Sequence, residues 1–239
     1  MKLELDGRLK LIADKVPECE VVADIGTDHA YVPIYLIQQG KCRRAIASDV
    51  KAGPVRIAQR NIAKYKIEDR IETRLGSGLE TIEKNEADAI IIAGMGGTLL
   101  SELLETDKDK VCCSDVMLVL QPMNDVDVVR RWLYDHQFEI FDEELAREGN
   151  KIYCVMAARF IGKNKSYKDF ELHVGECLII KKDPLLLPYC EIKLRQINRV
   201  LDQLENMADN SRLLRKYQGL KDNYLKLVKQ IEEEKKITN

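Results

Sequence analysis

Acidic side chains and a glycine follow the first strand-like run of the sequence. Asp24 ends this run, and Gly26, Thr27 and Asp28 come directly after it. A tight glycine turn at a strand end lets the backbone approach a nucleotide-type cofactor, and the helix behind the turn offers N–H groups. A dinucleotide site would carry G-x-G-x-x-G for a pyrophosphate, whereas Asp28 would repel a phosphate. The loop therefore favours S-adenosylmethionine, which has no phosphate and carries a sulfonium and an ammonium group.

Three further segments with residues suited to ligand binding follow later strand-like runs. Asp49 lies 25 residues after Asp24, and a carboxylate at this position can accept both hydroxyl hydrogens of a ribose. The other two segments are turns after the third and fourth runs, formed by Gly76, Ser77 and Gly78 and by Ala93, Gly94 and Met95. Ligands bind open α/β sheets at the carboxyl ends of strands, so the segments together predict one cofactor site. Taken singly, each is also compatible with an ordinary structural turn.

The runs that position these residues alternate with helical patterns. Apolar or period-two runs occur at residues 20–24, 45–49, 70–75, 88–93 and 116–120, and helical spacing occurs at 53–64, 98–105 and 125–136. This alternation predicts a parallel sheet covered by helices on both faces. Two later runs, 138–143 and 151–157, flank a hairpin-like turn at 147–150. We therefore predict an α/β, Rossmann-like domain with a mostly parallel seven-stranded sheet whose last pair is antiparallel.

A different pattern follows a polar linker near residues 161–166. Apolar side chains recur at steps of three and four in two stretches, separated by a break around residues 206–211. The stretches comprise Leu194, Ile197, Leu201 and Leu204, and then Leu213, Tyr217, Leu220, Tyr224, Leu227 and Ile231. Such stripes predict an antiparallel helical hairpin, coiled-coil-like, whose two helices pack against each other. The predicted domains are thus residues 1–162 and 163–239.

Composition and charge restrict the possible binding partners and the cellular location of the protein. The formal net charge of −2 does not by itself indicate a nucleic-acid partner. Residues 161–239, however, carry 16 Lys or Arg against 12 Asp or Glu, which permits a polyanionic partner there. We expect a cytoplasmic protein, because no apolar run approaches the ~18 residues of a membrane span and the first residues lack a signal-peptide pattern. The seven cysteines include no Cys-x-x-Cys pair, so we expect reduced thiols and no metal site.

Three motifs and the helical tail resemble one family over essentially the whole chain. The motifs are D-I-G-T-D-H-A-Y-V-P at 24–33, I-A-G-M-G-G at 92–97 and L-Q-P-M at 120–123, and they resemble the bacterial tRNA (adenine-22-N1)-methyltransferases. The resemblance implies a class I methyltransferase fold, S-adenosylmethionine as cofactor, and tRNA as the partner, methylated at N1 of adenine 22. It also implies cofactor contacts at Asp24, Gly26, Thr27, Asp49, Gly76, Ser77, Gly78, Ala93, Gly94 and Met95.

Catalytic candidates follow once adenine N1 is taken as the acceptor that the resemblance implies. Asp28 could stabilise the positive charge of methylated adenine or accept its amino hydrogen, and His29 could position the base. His29 could instead make a helix-start hydrogen bond, and Tyr31 could stack on the base or lie in the core. For tRNA contacts the candidates are the basic residues of the tail, Arg195, Arg199, Arg212, Arg215 and Lys216.

Other functions remain open at this level. A methyltransferase with a small-molecule or protein acceptor would carry the same cofactor loop, and an RNA-binding module without catalysis would carry the same tail. A nicotinamide-dependent oxidoreductase is disfavoured by the missing G-x-G-x-x-G. We expect a monomer.

Overall fold

The protein is described by a computed structural model that covers residues 2–113, 115–205 and 211–238. The chain divides into two compact units, Met1–Tyr167 and Lys168–Asn239. The domain boundary predicted at residue 162 lies in the segment just before this division.

The first unit contains a seven-stranded sheet and six α-helices among its described residues. The strands are β1 (Cys19–Ile25), β2 (Cys42–Asp49), β3 (Ile71–Leu75), β4 (Ala89–Met95), β5 (Met117–Pro122), β6 (Phe138–Glu148) and β7 (Lys151–Phe160). The helices are α1 (Gly7–Lys15), α2 (Tyr31–Gln38), α3 (Ala52–Tyr65), α4 (Gly97–Thr106), α5 (Lys108–Val111) and α6 (Val126–Asp135), with a short 3-10 helix at Gly78–Thr81.

The strand order in the sheet is β3-β2-β1-β4-β5-β7-β6. β1 to β5 are parallel, and β7 is antiparallel to both β5 and β6, so the prediction of a mostly parallel sheet closed by an antiparallel pair is confirmed. Right-handed crossovers place α2 and α3 on one face and α4 and α6 on the other. The strand order reverses between β1 and β4, and such a switch point opens a crevice at the carboxyl ends of the strands.

The central strands are buried because their side chains are apolar on both faces. Ile90, Ile91 and Ile92 of β4 are at most 1% exposed, as expected for a parallel strand between two helical layers. One core cluster joins these strands to α2 and α3 and also to α1, through Ile12 and Ala13. The helix α1 precedes β1 and was not predicted from the sequence.

Ionic contacts hold α1 against the antiparallel end of the sheet. The ammonium group of Lys15 lies 2.8 Å from Asp142 Oδ2 and 2.7 Å from Glu144 Oε2, both on β6. Lys41 donates hydrogen bonds of 3.0–3.1 Å to the carbonyl oxygens of Ala13, Asp14 and Val16 at the carboxyl end of the helix. Because these carbonyls lack partners within the helix, the lysine fixes where α1 ends.

The antiparallel pair is longer than the sequence pattern indicated. β6 runs to Glu148 and β7 to Phe160, joined by a turn in which Gly149 has φ +57°. The predicted hairpin is thus present, with more residues in its strands. Arg130 of α6 is fully buried against Glu143 of β6, with 2.7 Å between Nε and Oε1, which fixes α6 on this edge.

The second unit is helical in the described part of the chain. Its helices are α7 (Asp169–Val174), α8 (Glu176–Lys181), α9 (Leu186–Glu205) and α10 (Ser211–Thr238). α9 packs along α10, and the residues of a cavity of about 640 Å³ include Leu186 at the start of α9 and Ile231 near the end of α10, so the two helices are antiparallel. The short helices α7 and α8 were not predicted.

The described residues of the predicted apolar seam in the second unit are buried or half-buried, with the exception of Leu213. Ile197, Leu201, Tyr224 and Leu227 are buried. Leu213, which the pattern placed in the seam, lies in the first turn of α10 and is 46% exposed. Residues 206–210 of the predicted break lie outside the described residues.

Candidate active site

A cavity of about 420 Å³ lies at the switch point of the sheet. Its wall includes Asp24 and Gly26 at the end of β1 and Ala93 and Gly94 at the end of β4. This is the position at which open α/β sheets bind ligands, and it brings together two of the segments that the sequence predicted. The complete lining comprises Arg8, Leu9, Asp24, Gly26, Thr27, Asp28, His29, Tyr31, Val32, Ile91, Ala93, Gly94 and Met123.

The loop after β1 is shaped by left-handed backbone conformations. Gly26 has φ +80°, which a glycine adopts without strain, and a Cβ there would collide with the Cε of Met95. Asp28 and Ala30 also have positive φ, at 47° and 57°. Residues with a Cβ rarely adopt this conformation, and such strained positions cluster at functional sites. The loop is therefore held in a shape that its residue types do not favour locally.

Asp24 is a buried carboxylate at the floor of the cavity. It is 6% exposed, and its Oδ2 accepts a 2.6 Å hydrogen bond from the hydroxyl of Thr27. Burial raises the pKa of Asp24 to about 6; the Thr27 hydrogen bond lowers it, and the negative charge of Asp49 raises it. No described residue donates a hydrogen bond to Oδ1 of Asp24. The site thus has one open acceptor that would be stabilised by a cation.

Asp28, His29 and Tyr31 form the outer wall of the cavity. The side chain of Asp28 is 67% exposed, and its Oδ2 lies 3.2 Å from Nε2 of His29. The His29 and Tyr31 rings are stacked, with centroids 5.2 Å apart and planes 10° from parallel. Tyr31 is 36% exposed, so the core position that the sequence analysis left open for it is wrong. The three side chains offer a carboxylate and a flat aromatic surface to whatever enters the cavity.

A second cavity, of about 170 Å³, adjoins the first at Gly26. Asp49 lies on its wall, and its Oδ1 accepts a 2.7 Å hydrogen bond from the Lys51 N–H. The turn Gly76, Ser77 and Gly78 and the side of Met95 line it, with Ile25, Ser48, Val50, Leu99 and Leu103. The predicted ribose acid and the predicted adenine-side turn therefore share one cavity, and its apolar side chains suit a flat base.

The glycines after β4 serve two different purposes. Gly94 has φ +80° at an irregularity in the β4–β5 register, lines the first cavity, and has open space where a Cβ would be. Gly97 packs instead against the backbone before α6. A Cβ at Gly97 would overlap the carbonyl oxygen of Asp125 and lie 2.7 Å from that of Asn124. Gly94 therefore borders the cavity with a left-handed backbone, whereas helix packing accounts for Gly97.

Several lining residues were missed from the sequence because they come from elements distant in the chain. Arg8 and Leu9 belong to α1, and Met123 follows β5. Gln121 of β5 is fully buried beside the site, where its Oε1 accepts hydrogen bonds from Arg8 Nη1 (2.6 Å) and from the Gly94 N–H (3.2 Å). The available signal was the apolar spacing of Leu9, Ile12, Ala13 and Val16, which predicts the helix α1.

The basic residues predicted for the tail are all on the surface of the second unit. Arg195 and Arg199 are exposed on α9, and Arg212, Arg215 and Lys216 are exposed on α10. Arg215 and Lys216 also line a cavity of about 280 Å³ between α7 and α10, together with His173, Asn223 and the carboxylate-bearing Asp169. The surface is therefore positively charged around one concave site.

The described residues contain neither a candidate membrane span nor a candidate metal site. Within the described ranges, no helix has the length and apolar character needed to cross a membrane. Among the same residues, no three or more His, Cys, Asp or Glu side chains converge in a way that could hold a metal ion.

Comparison with known proteins identifies the family. A model described as "Methyltransferase domain" matches residues 5–156. The chain is 35% identical to the tRNA (adenine(22)-N(1))-methyltransferase of Bacillus subtilis strain 168 over 234 residues, which is 96% of this chain and 98% of the relative.

Solved structures agree with the sequence comparison. The crystal structure of the B. subtilis tRNA methyltransferase TrmK matches with a TM-score of 0.83 and 34% identity, covering 96% of this chain and 99% of that one. M. capricolum TrmK, in complex with the natural cofactor product S-adenosyl-homocysteine, matches with a TM-score of 0.76 and 27% identity, covering 95% and 98%. With the methyltransferase sheet, the two adjoining cavities and full-length similarity, the chain belongs to the tRNA (adenine(22)-N(1))-methyltransferase family.

Proposed function

We propose that this chain transfers the methyl group of S-adenosylmethionine to N1 of adenine 22 in tRNA. One observation carries the proposal: the lining of the cavity at the switch point combines a buried carboxylate, Asp24, with the exposed pair Asp28 and His29. The Asp24 carboxylate suits a cofactor with an ammonium group, and the pair of Asp28 and His29 suits an acceptor base that becomes cationic. The family to which the chain belongs performs this reaction.

The two cavities suit the two ends of the cofactor. The open Oδ1 of Asp24 would accept a hydrogen bond from the ammonium group, and the Asp49 carboxylate in the adjoining cavity would accept hydrogen bonds from the ribose hydroxyls. The turn Gly76–Gly78 and the side chains of Leu99 and Leu103 would hold the adenine. Ala93 and Gly94 would line the space for the sulfonium, since no atom lies within 4 Å of the Cβ position of Gly94. When bound, S-adenosylmethionine supplies an electrophilic methyl carbon.

The residues of the outer wall position the acceptor base. The lone pair of adenine N1 lies in the ring plane, so the attack requires no base to remove a proton. The stacked His29 and Tyr31 rings provide a surface for a base that has left its stack. The Asp28 carboxylate stabilises the positive charge that develops on the methylated ring. Alignment with water excluded supplies the remainder of the rate enhancement.

The second unit binds the tRNA backbone. Its exposed arginines on α9 and α10, with Lys216, offer charge-assisted hydrogen bonds to phosphates. The enzyme acts as a monomer in the cytoplasm. Within the second unit, the described residues of the apolar seam other than Leu213 are at least half-buried, which is consistent with a seam that packs within one chain.

The test is methyl transfer from labelled S-adenosylmethionine to unmodified bacterial tRNA, followed by nuclease mapping of the labelled nucleoside. The expected product is 1-methyladenosine at position 22. The matched control is the same tRNA with guanine in place of adenine 22, which we expect to receive no label.

Each outcome separates the parts of the proposal. Label at another adenine would change the position but keep tRNA as the substrate. Absence of label from any RNA, together with normal cofactor binding, would direct the search to a small-molecule or protein acceptor. Absence of cofactor binding would reject catalysis and leave an RNA-binding module.

A further inference from the structure

The guanidinium group of Arg8 is fixed at the wall of the first cavity by three contacts. Its Nη1 donates a 2.6 Å hydrogen bond to Oε1 of the fully buried Gln121. Its Nε lies 3.4 Å from Glu148 Oε2, and its Cζ is 5.4 Å from the centroid of the Tyr153 ring. These partners lie on β5, β6 and β7, so the arginine is held in one orientation by the sheet itself.

Donor hydrogens of Arg8 remain after these contacts. A guanidinium group carries five N–H hydrogens, and the described residues accept from Nη1 and Nε but not from Nη2. Arg8 is also the single basic side chain other than the imidazole of His29 in the described lining of the cavity. A positively charged donor thus stands in the cavity that also contains the Asp24 and Asp28 carboxylates, with no ion pair between them within 4.0 Å.

The loop backbone around the cavity offers few donors of its own. The N–H groups of Gly26 and Thr27 both donate to the Ser48 carbonyl at 2.8 Å, and those of His29 and Ala30 donate to the Thr27 carbonyl. The Gly94 N–H donates to Gln121. Five N–H groups that could receive an anion are therefore already bonded within the protein, and an anionic ligand group in this cavity needs a side-chain partner.

We propose that Arg8 binds the α-carboxylate of the methionine part of the cofactor. The inference rests on the proposed function, because it takes S-adenosylmethionine as the ligand of this cavity. The ligand carries an ammonium and a carboxylate on the same carbon, so both charges must enter together. Asp24 matches the first and Arg8 the second, which gives the zwitterion one partner of opposite sign for each group.

A role at the acceptor base is less consistent with the charges. The methylated adenine is cationic, and a fixed guanidinium group next to it would raise the energy of the charge that develops. Gln121 acquires a positioning role from the same geometry, since one carboxamide oxygen holds both Arg8 and the Gly94 N–H. Gln121 thereby keeps Arg8 and the backbone at Gly94 in a fixed position relative to each other.

Calorimetry on the full-length protein with three ligands tests the proposal without any turnover. The ligands are S-adenosylmethionine, its decarboxylated form, which lacks only the carboxylate, and 5′-methylthioadenosine, which lacks the whole amino-acid part. For the parent protein we expect the decarboxylated form to bind about 10- to 100-fold more weakly than S-adenosylmethionine. Arg8→Ala should raise the Kd for S-adenosylmethionine by a similar factor and leave the Kd values of the other two ligands unchanged. Lys10→Ala, on the same helix but outside the cavity lining, should change none of them.

Each result decides the question. Arg8→Lys keeps the positive charge and should retain part of the preference for S-adenosylmethionine over its decarboxylated form. This variant replaces Arg8→Ala in the test if Arg8→Ala does not fold. Equal weakening of all three ligands in either variant would show that Arg8 only supports the fold, and a parent protein indifferent to the carboxylate would overturn the proposal by itself. A parent protein that binds none of the three would instead reject the proposed function.

Discussion

Two residues of the loop after β1 that carry a Cβ, Asp28 and Ala30, adopt left-handed backbone conformations on either side of His29. Each costs about 1 kcal/mol relative to an ordinary conformation. The hydrogen bonds from the loop N–H groups to the Ser48 and Thr27 carbonyls offset this cost. The result is a carboxylate and an imidazole held 3.2 Å apart at the rim of the cavity, which is the geometry that the proposed mechanism uses.

Removing the charge of Asp28 should abolish most of the turnover and spare cofactor binding. Asn tolerates a positive φ and keeps a side-chain oxygen near His29, so Asp28→Asn changes the charge with little effect on the backbone. We expect kcat to fall about 10²- to 10³-fold, because stabilisation of the product cation is lost. Single-turnover methylation of tRNA measures the rate, and calorimetry with S-adenosylhomocysteine measures the Kd.

The comparison variant for Asp28 is Asp28→Ala, which also removes the contact to His29 and should be no more active. A variant of Asp28 as active as the parent enzyme would remove this residue from the mechanism.

Cofactor affinity should depend on the protonation of Asp24. Burial raises the pKa of Asp24 to about 6, so the carboxylate is ionised above this pH and becomes neutral as the pH falls through it. Only the ionised form attracts the ammonium group. We expect the Kd for S-adenosylhomocysteine to be constant above about pH 7 and to rise roughly tenfold between pH 7 and pH 5, as measured by calorimetry in buffers of constant ionic strength.

Two variants test whether Asp24 causes this pH dependence of the Kd. Asp24→Asn should weaken binding at neutral pH and make the Kd nearly independent of pH. His29→Gln removes the imidazole that also lines the cavity, and the dependence of the Kd on pH should remain in this variant. A pH profile that persists in Asp24→Asn would contradict the assignment.

At the scale of elements, the site depends on how α4 and α6 meet behind the turn after β4. The N–H of Gly97 donates to the carbonyl oxygen of Asn124 and to its Oδ1, both at 3.2 Å. The backbone before α6 lies where any side chain at position 97 would be, so the start of α4 and the start of α6 are in direct contact. This packing fixes Gly94 and Met95 in front of it.

A methyl group at position 97 should destabilise the first unit. Gly97→Ala forces the Asn124–Asp125 backbone to move, and backbone cannot rotate out of the way as a flexible side chain can. We expect the free energy of unfolding to fall by about 1–3 kcal/mol, measured by denaturant unfolding. Gly219→Ala in α10, where the added methyl meets nothing within 4 Å, should instead stabilise its helix by about 0.5–1 kcal/mol. Equal effects of both variants would contradict the packing argument.

At the scale of the whole molecule, charge is divided between the two units. The predicted positive balance of residues 161–239 appears as exposed side chains on α9 and α10, while the cofactor cavity of the first unit is lined by carboxylates. Under the proposed function, the first unit binds the cationic cofactor and the second unit binds the polyanion. The small overall charge conceals this division.

Reversing one charge of the second unit should weaken tRNA binding selectively. For Arg215→Glu, which alters the concave site between α7 and α10, we expect the Kd for tRNA to rise about tenfold at physiological salt, with a smaller salt dependence. Lys229→Glu makes the same change of charge on the same helix, outside that site, and should have a smaller effect. Filter binding over a series of salt concentrations measures both, and S-adenosylhomocysteine affinity should stay unchanged. Equal effects of the two variants on the Kd for tRNA would indicate that tRNA is attracted by the overall charge of the unit and not by this concave site.

Much of the fold followed from local patterns. The strand and helix segments that the sequence indicated in the first unit all occur, with ends that shift by one to several residues, because buried parallel strands and amphipathic helices have distinct periods. The segments predicted to bind the cofactor line two adjoining cavities, since residues at the carboxyl ends of successive strands meet at one edge of the sheet. The prediction of tRNA as the substrate came from the resemblance to a known family, because no local pattern of residues specifies a partner.

Only the tertiary structure decided which distant residues complete the site. Arg8 contacts Gln121, 113 positions away, and the insertion of β7 between β5 and β6 brings Tyr153 and Glu148 to the same guanidinium group. The position of Tyr31 on the cavity wall and the exposure of Leu213 were likewise set by neighbours from other elements. The physical reason is that sequence periodicity specifies which face of an element is buried, whereas strand order and helix docking, which are long-range, specify what that face meets.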